Sequence, residues 1–108
     1  MAKFFVVTLV HRNVDLWKQH LDAHVNYLKS LLAKGILRAS GPRTESRHPS
    51  GLIILMANDD AELRELLQAD PFSVHGVNDE VTITEWNPVF GIFASESSGD
   101  AASLKTLY

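Results

Sequence analysis

An α+β sandwich with its elements in the order β-α-β-β-α-β is the fold this sequence predicts, and three observations carry that reading. Two stretches, Lys3 to Val10 and Gly51 to Ala57, have the aromatic and β-branched or aliphatic composition of buried strands. Two leucine-periodic stretches, one following Asn13 and one following Asp59, have the spacing of amphipathic helices. The order of these segments is the split βαβ pattern of a ferredoxin-like sandwich, with both helices on one face of an antiparallel sheet. A chain of 108 residues, 45% hydrophobic and 21% charged, has room for one such core and not for two.

The elements follow in order. The first strand, Lys3 to Val10, stops at the polar run His11-Arg12-Asn13. Asn13 or Asp15 suits the N-cap of a long helix in which Leu16, Leu21, Val25, Leu28, Leu31 and Leu32 recur at helical spacing, and Gly35 suits its C-cap. Ile36 to Ser40 reads as a short second strand ending at Gly41-Pro42, with a polar loop from Arg43 to Ser50 behind it. Gly51 to Ala57 is the third strand. Asn58-Asp59-Asp60 caps a second helix, with Leu63, Leu66 and Leu67 on its apolar face and Glu62 and Glu65 near its positive end; Pro71 is expected to mark its end. Val81 to Trp86 alternates as the fourth strand, and Pro88 marks its exit. The helices cover one sheet face only. Since the first strand is apolar on both of its alternating sets, a homodimer or higher homo-oligomer pairing sheets face to face, a dimeric α+β barrel, is expected.

Composition narrows the function. There is no cysteine, hence no thiol nucleophile, disulfide or cysteine metal site. A net charge of −3 argues against a dedicated nucleic-acid surface. No apolar run approaches a membrane span and the N-terminus reads as part of the fold rather than a signal peptide, so a cytoplasmic protein that needs no membrane is expected. Residues 1–50 hold eight Lys/Arg against three Asp/Glu, and residues 51–108 hold two against ten. The halves are thus electrostatically complementary, although scattered solvated charges also divide this way. Arg38, Arg43 and Arg47 offer a basic rim for an anionic small molecule.

Two residues stand out as chemistry. Asp70 precedes Pro71, so a rigid turn displays its carboxylate, and His24 shares the apolar stripe of the first helix with Leu21, Leu28 and Leu31. If they meet, they form a His-Asp acid/base pair, in which the carboxylate orients the imidazole and stabilises its cation. A satisfied core histidine is the competing reading of His24. His20 and His24 at i, i+4 have metal-ligand spacing, but neither Asp15 nor Asp22 completes a set, and no metal is assigned. Ser40, Gly41 and Pro42 read equally as a pocket edge offering a hydroxyl and backbone groups or as a plain strand-end turn. Phe72 and Trp86 read as apolar walls or as bulk packing, and His75 as a surface residue near the turn. The chain has no nucleophile elbow, phosphate loop or dinucleotide fingerprint, which leaves cofactor-free proton chemistry.

His24-Val25-Asn26-Tyr27-Leu28, Gly35-Ile36-Leu37, Ser40-Gly41-Pro42, Gly51, Asp70-Pro71-Phe72 with Gly76, and Glu85-Trp86 occur in an order and spacing that resembles the YCII-like family of small dimeric α+β proteins. The resemblance runs from the first strand to about Trp86, so a domain over 1–90 is expected; the tail over 91–108 exceeds the usual family length, and its apolar ends offer a latch to a neighbouring subunit, disorder being the other reading of its last ten residues. It implies His24 and Asp70 as an active-site pair beside a small pocket; Ser40, Gly41, Pro42 and Phe72, on the reading of the residues themselves, are the expected substrate contacts. Members often carry a basic residue where this chain has Leu21. The family includes a dehydrochlorinase of chlorinated hydroxyhydroquinone breakdown, and related ferredoxin-like dimers include muconolactone isomerases. A cofactor-independent lyase or isomerase acting on a small oxygenated aromatic or quinonoid substrate is therefore expected. A non-catalytic ligand-binding or interaction module, and a heme-free monooxygenase of quinols, are the alternatives.

Overall fold

In a computed structural model describing residues 2–106, strand β1 (Lys3–Val10) leads into helix α1 (Val14–Ala33), followed by β2 (Leu37–Pro42) and β3 (Ser50–Ala57). Helix α2 (Asp60–Gln68), a four-residue helix α3 (Pro71–Val74) and β4 (Glu80–Trp86) complete the domain. The strands hydrogen-bond in the order β2-β3-β1-β4, every pair antiparallel. This is the ferredoxin-like α+β sandwich that the sequence predicts. It departs at Pro71. Rather than only ending α2, the proline occupies the first turn of α3, where its missing N–H costs nothing and its fixed φ favours the helix.

Caps explain where each helix begins. Asn13, not Asp15, caps α1 by accepting from the Leu16 N–H at 3.0 Å, and Asp59 caps α2 by accepting from Glu62 at 2.8 Å. Gly35 (φ 74°) closes α1 in a left-handed turn, with Ile36 N–H donating to Leu31 and Gly35 N–H to Leu32, the paired bonds of a Schellman motif. Gly76 (φ 68°) repeats that motif after α3, with Val77 N–H donating to Phe72 and Gly76 N–H to Ser73.

Phe5, Val7 and Leu9 of β1 and Ile53, Leu55 and Ala57 of β3 face the helices, where Leu31, Leu37 and Leu63 fill the core. The Tyr27 hydroxyl donates to the Leu66 carbonyl at 2.6 Å, tying α1 to α2. The other sheet face carries Val6, Leu52, Ile54 and Met56, half-buried and without a helix over them. One end of that face is covered from within the chain. Phe93 of the tail packs on Phe4 at 5.2 Å between ring centres and edge-on to Trp86 at 6.4 Å. Trp86 therefore belongs to this outer cluster and walls no pocket on the helix side. Beside Phe93, Phe90 and Ile92 project outward, 73% and 86% exposed. The tail ends in a 3-10 turn over Ala101–Thr106 in which Leu104 is exposed; Leu107 and Tyr108, the rest of the expected latch, lie outside the described residues.

A bulge in β2 sets the parity of the strand end. Leu37 pairs with Leu55 and Ala39 with Ile54, so Arg38 and Ala39 together oppose one residue of β3. Beyond it Ser40 pairs with Ile53, a core-facing residue, and so shares the helix side of the sheet. Arg38, at the bulge, binds Glu96 of the tail through two bonds of 2.5 and 2.6 Å and lies over Phe4 and Phe93. It is engaged there rather than in the expected basic rim. Arg12 to Glu80 and Lys3 to Glu85 likewise join first-half bases to second-half acids. The Arg12 and Lys3 pairs are exposed, and each contributes under about 1 kcal/mol.

Leu63→Ala is expected to lower unfolding free energy by about 2–5 kcal/mol, because Leu63 is fully buried between α2 and the sheet, whereas Leu32→Ala at an exposed α1 position shifts it by under about 1 kcal/mol. Urea denaturation followed by far-UV circular dichroism measures both.

Candidate active site

His24 and Asp70 meet. The His24 Nδ1 lies 2.8 Å from each oxygen of the Asp70 carboxylate, and the residues are 8% and 2% exposed. Helical period carries His24 to the buried side of α1, and the N-cap geometry of α3 (φ −64°, ψ 130°) holds Asp70 opposite it. Asp70 Oδ1 also accepts from the Phe72 N–H at 2.9 Å, so the same carboxylate caps α3. A carboxylate only accepts; the imidazole proton facing it therefore sits on Nδ1, and Nε2 is the nitrogen His24 retains for other partners. The His24 ring lies parallel on Phe72, 3.8 Å between centres and 3° between planes.

His24 borders a cavity of about 490 Å³, a size suited to a small molecule. Ser40, Gly41, Pro42 and Phe72 line the same space, and Asp70 stands behind the imidazole rather than in the wall. Leu9, Trp17, Leu21 and Ile53 make much of the remaining wall apolar. The loop after β2 contributes Arg43, Arg47 and His48, so two of the three expected basic residues do reach the pocket; neither arginine makes an ion pair among the described residues. The outlying histidines behave otherwise. His20 stacks on His75 with ring centres 4.0 Å apart, and His75, exposed at the end of α3, takes no place in the cavity wall. Among the described residues no three His, Asp or Glu side chains gather as a metal site.

Sequence reasoning missed His11. It continues the inward alternation Phe5, Val7, Leu9 one step past the end of β1, which was the available signal. It lines the cavity, is 3% exposed, and packs edge-on against Phe72 at 4.7 Å. Its Nδ1 lies 3.3 Å from the Val77 carbonyl, which the Gly76 turn delivers. Burial pushes the His11 imidazole below its ordinary 6.5, the Val77 bond opposes that push, and nearby His24 adds to it.

The sequence profile of the YCII-related domain matches residues 4–87. No curated protein matches the chain by sequence. Among solved structures it is similar to a 5-chloro-2-hydroxyhydroquinone dehydrochlorinase from Burkholderia phenoliruptrix AC1100 in complex with 2,5-dihydroxybenzoquinone, with TM-score 0.66 and 22% identity over 78% of this chain and 93% of that one. It is also similar to a protein described as an antibiotic biosynthesis monooxygenase from Bacteriodes thetaiotaomicron VPI-5482, with TM-score 0.57 and 8% identity over 84% and 92% of the two chains. A third, Rv0793 from Mycobacterium tuberculosis, gives TM-score 0.53 and 9% identity over 85% and 99%. At these identities the likeness is one of fold.

Two stability measurements probe the site. Asp70→Ala removes a cap and a buried acceptor and is expected to cost about 2–4 kcal/mol, whereas Asp70→Asn keeps an oxygen for Phe72 and His24 and costs about 1 kcal/mol. Because His11 titrates lower when folded, the unfolded chain binds its proton first as pH falls. Stability is therefore expected to decline from about pH 6.5 down through the folded value, and His11→Asn is expected to flatten that part of the urea-midpoint profile.

Proposed function

The chain belongs to the YCII-related family, and from that premise we propose that its cavity is the active site of a cofactor-independent lyase or isomerase acting on a small oxygenated aromatic or quinonoid compound. The observation that carries this reading is the buried His24-Asp70 pair at 2.8 Å with the imidazole bordering the cavity. His24 Nε2 takes a hydroxyl or carbon proton, and Asp70 holds the ring in one tautomer and stabilises the imidazolium. Ser40, Gly41 and Pro42 form the substrate-facing edge, Phe72 backs the imidazole, and Leu9, Leu21 and Ile53 offer apolar contact to a ring.

The specific reaction we favour is dehydrochlorination of a chlorinated hydroxyhydroquinone, the activity of the Burkholderia enzyme of like fold. The chemistry balances without an outside oxidant. Two hydroxyl O–H bonds become carbonyls, one of those protons ends on the ring carbon that loses chlorine, the other is released, and chloride leaves with the C–Cl electron pair. A general base is the main requirement. The Asp70 bond to the α3 backbone favours a second reading, a ligand-binding module in which the pair is structural. Turnover separates them. A buffer-corrected spectral assay on chlorinated hydroxyquinols is expected to show quinone formation that His24→Ala reduces by about 10²–10⁴-fold with circular dichroism unchanged; activity unaffected by that change removes the assigned mechanism.

The assembly proposed with this function is a homodimer that buries the uncovered sheet face around Val6, Leu52 and Ile54. Light scattering after size exclusion is expected to give twice the chain mass, and Ile54→Lys is expected to give the single-chain mass.

A further inference from the structure

His11 is the buried titratable group that the proposed chemistry leaves unused. The Val77 carbonyl can only accept, so the bond to it places the imidazole proton on Nδ1 and leaves a lone pair on Nε2, the nitrogen that His11 retains for the cavity it lines. His24 is in the corresponding state, with Asp70 at Nδ1 and Nε2 available. Phe72 fixes both rings at once, lying parallel to His24 and meeting His11 edge-on. The cavity therefore presents two imidazole acceptors, held by separate second partners and orientated by one phenyl ring, between apolar walls with ample room for an aromatic ring.

We propose that His11 is a second substrate-binding residue, whose Nε2 accepts a hydrogen bond from a ligand hydroxyl while His24 receives another, so that the pocket selects small aromatic diols over their monohydroxy analogues. The proposal rests on the reading of this cavity as a substrate pocket and narrows the substrate class by the number of donors it must carry. Donors are matched because an acceptor facing an ether oxygen is left unpaired and desolvated. The electrostatics around His11 pull both ways. Burial lowers the proton affinity of His11 and a charge on nearby His24 lowers it further, which suits an acceptor; the Val77 bond and, after it, Asp70 and Asp79 act the other way. Breaking two O–H bonds, as diol-to-dione conversion requires, also gives each acceptor a hydroxyl to hold.

The test is calorimetric titration with catechol, resorcinol and hydroquinone and with the monomethyl ether of each, on the wild type, His11→Phe and His11→Asn. The phenylalanine keeps the ring against Phe72, and the asparagine keeps an amide donor for Val77. At least one diol is expected to bind the wild type about tenfold more tightly than its ether, and that ratio is expected to fall to near one in both variants. Nitrogen-15 shifts of the wild-type histidines are expected to show Nε2 of His11 unprotonated and to move when the preferred diol binds, a readout that needs no variant. Equal binding of every diol and its ether, no binding of any, a preference that survives both substitutions, or a protonated Nε2 overturns the proposal. A diol preference that depends on His11 in a protein that turns over no substrate removes the enzymatic reading and leaves this one; turnover without the preference does the reverse.

Discussion

Asp70 places one carboxylate between two donors, the Phe72 N–H that opens α3 and the Nδ1–H of His24 on α1, and the site is built outward from that shared contact. A cap and a dyad on separate residues would let α3 drift relative to α1. Here the bond that starts α3 also fixes its distance from His24. Phe72, two residues on, is thereby brought flat against the same imidazole, and the Gly76 turn that ends α3 supplies the Val77 carbonyl to His11. A helix of only four residues cannot be stable by its own backbone bonds. Its position is specified instead by a carboxylate at one end, a left-handed glycine at the other, and an aromatic ring between.

The chemical character of the pocket follows from an unequal treatment of its polar groups. The two interior imidazoles each have one nitrogen occupied by a group that can only accept, which sets both tautomers without a water molecule. The arginines are sorted by partner. Arg12 and Arg38 are committed to acids on β4 and the tail, while Arg43 and Arg47 stay at the cavity. A ligand meets positive charge at the loop and two imidazoles at the buried end, an arrangement that favours entry of an electron-rich molecule.

Much of this was legible in the sequence. Leucine spacing, Asx caps, Gly35 and the strand compositions define the layers, and the Asp-Pro step together with an imidazole on an apolar stripe marks the dyad. Features that depend on what lies across the sheet were harder to read. Trp86 read as a pocket wall or as packing because strand alternation does not say which face the pocket is on, and its pairing with Phe4 puts it in the packing on the far side. Arg38 looked like part of a rim because nothing local announces a bulge or an acid 58 residues away. His11 looked like the polar end of a strand. Its period-2 place after Leu9 was readable, but the carbonyl that makes its burial tolerable comes from a turn 66 residues downstream.

The β2 bulge gives the pocket edge one place where chain length can change without moving it. Leu37 faces Leu55 and Ser40 faces Ile53 with two residues between them where one would complete the alternation, so deletion of Arg38 would leave a regular ladder with Ser40 still on the helix side, and the loss would fall on the outer face, where Arg38 meets Glu96 and Phe93. In such a fold a single-codon deletion at the bulge edits the outer face and spares the pocket, so related chains with the same dyad can differ in length there and still present the same group to a ligand.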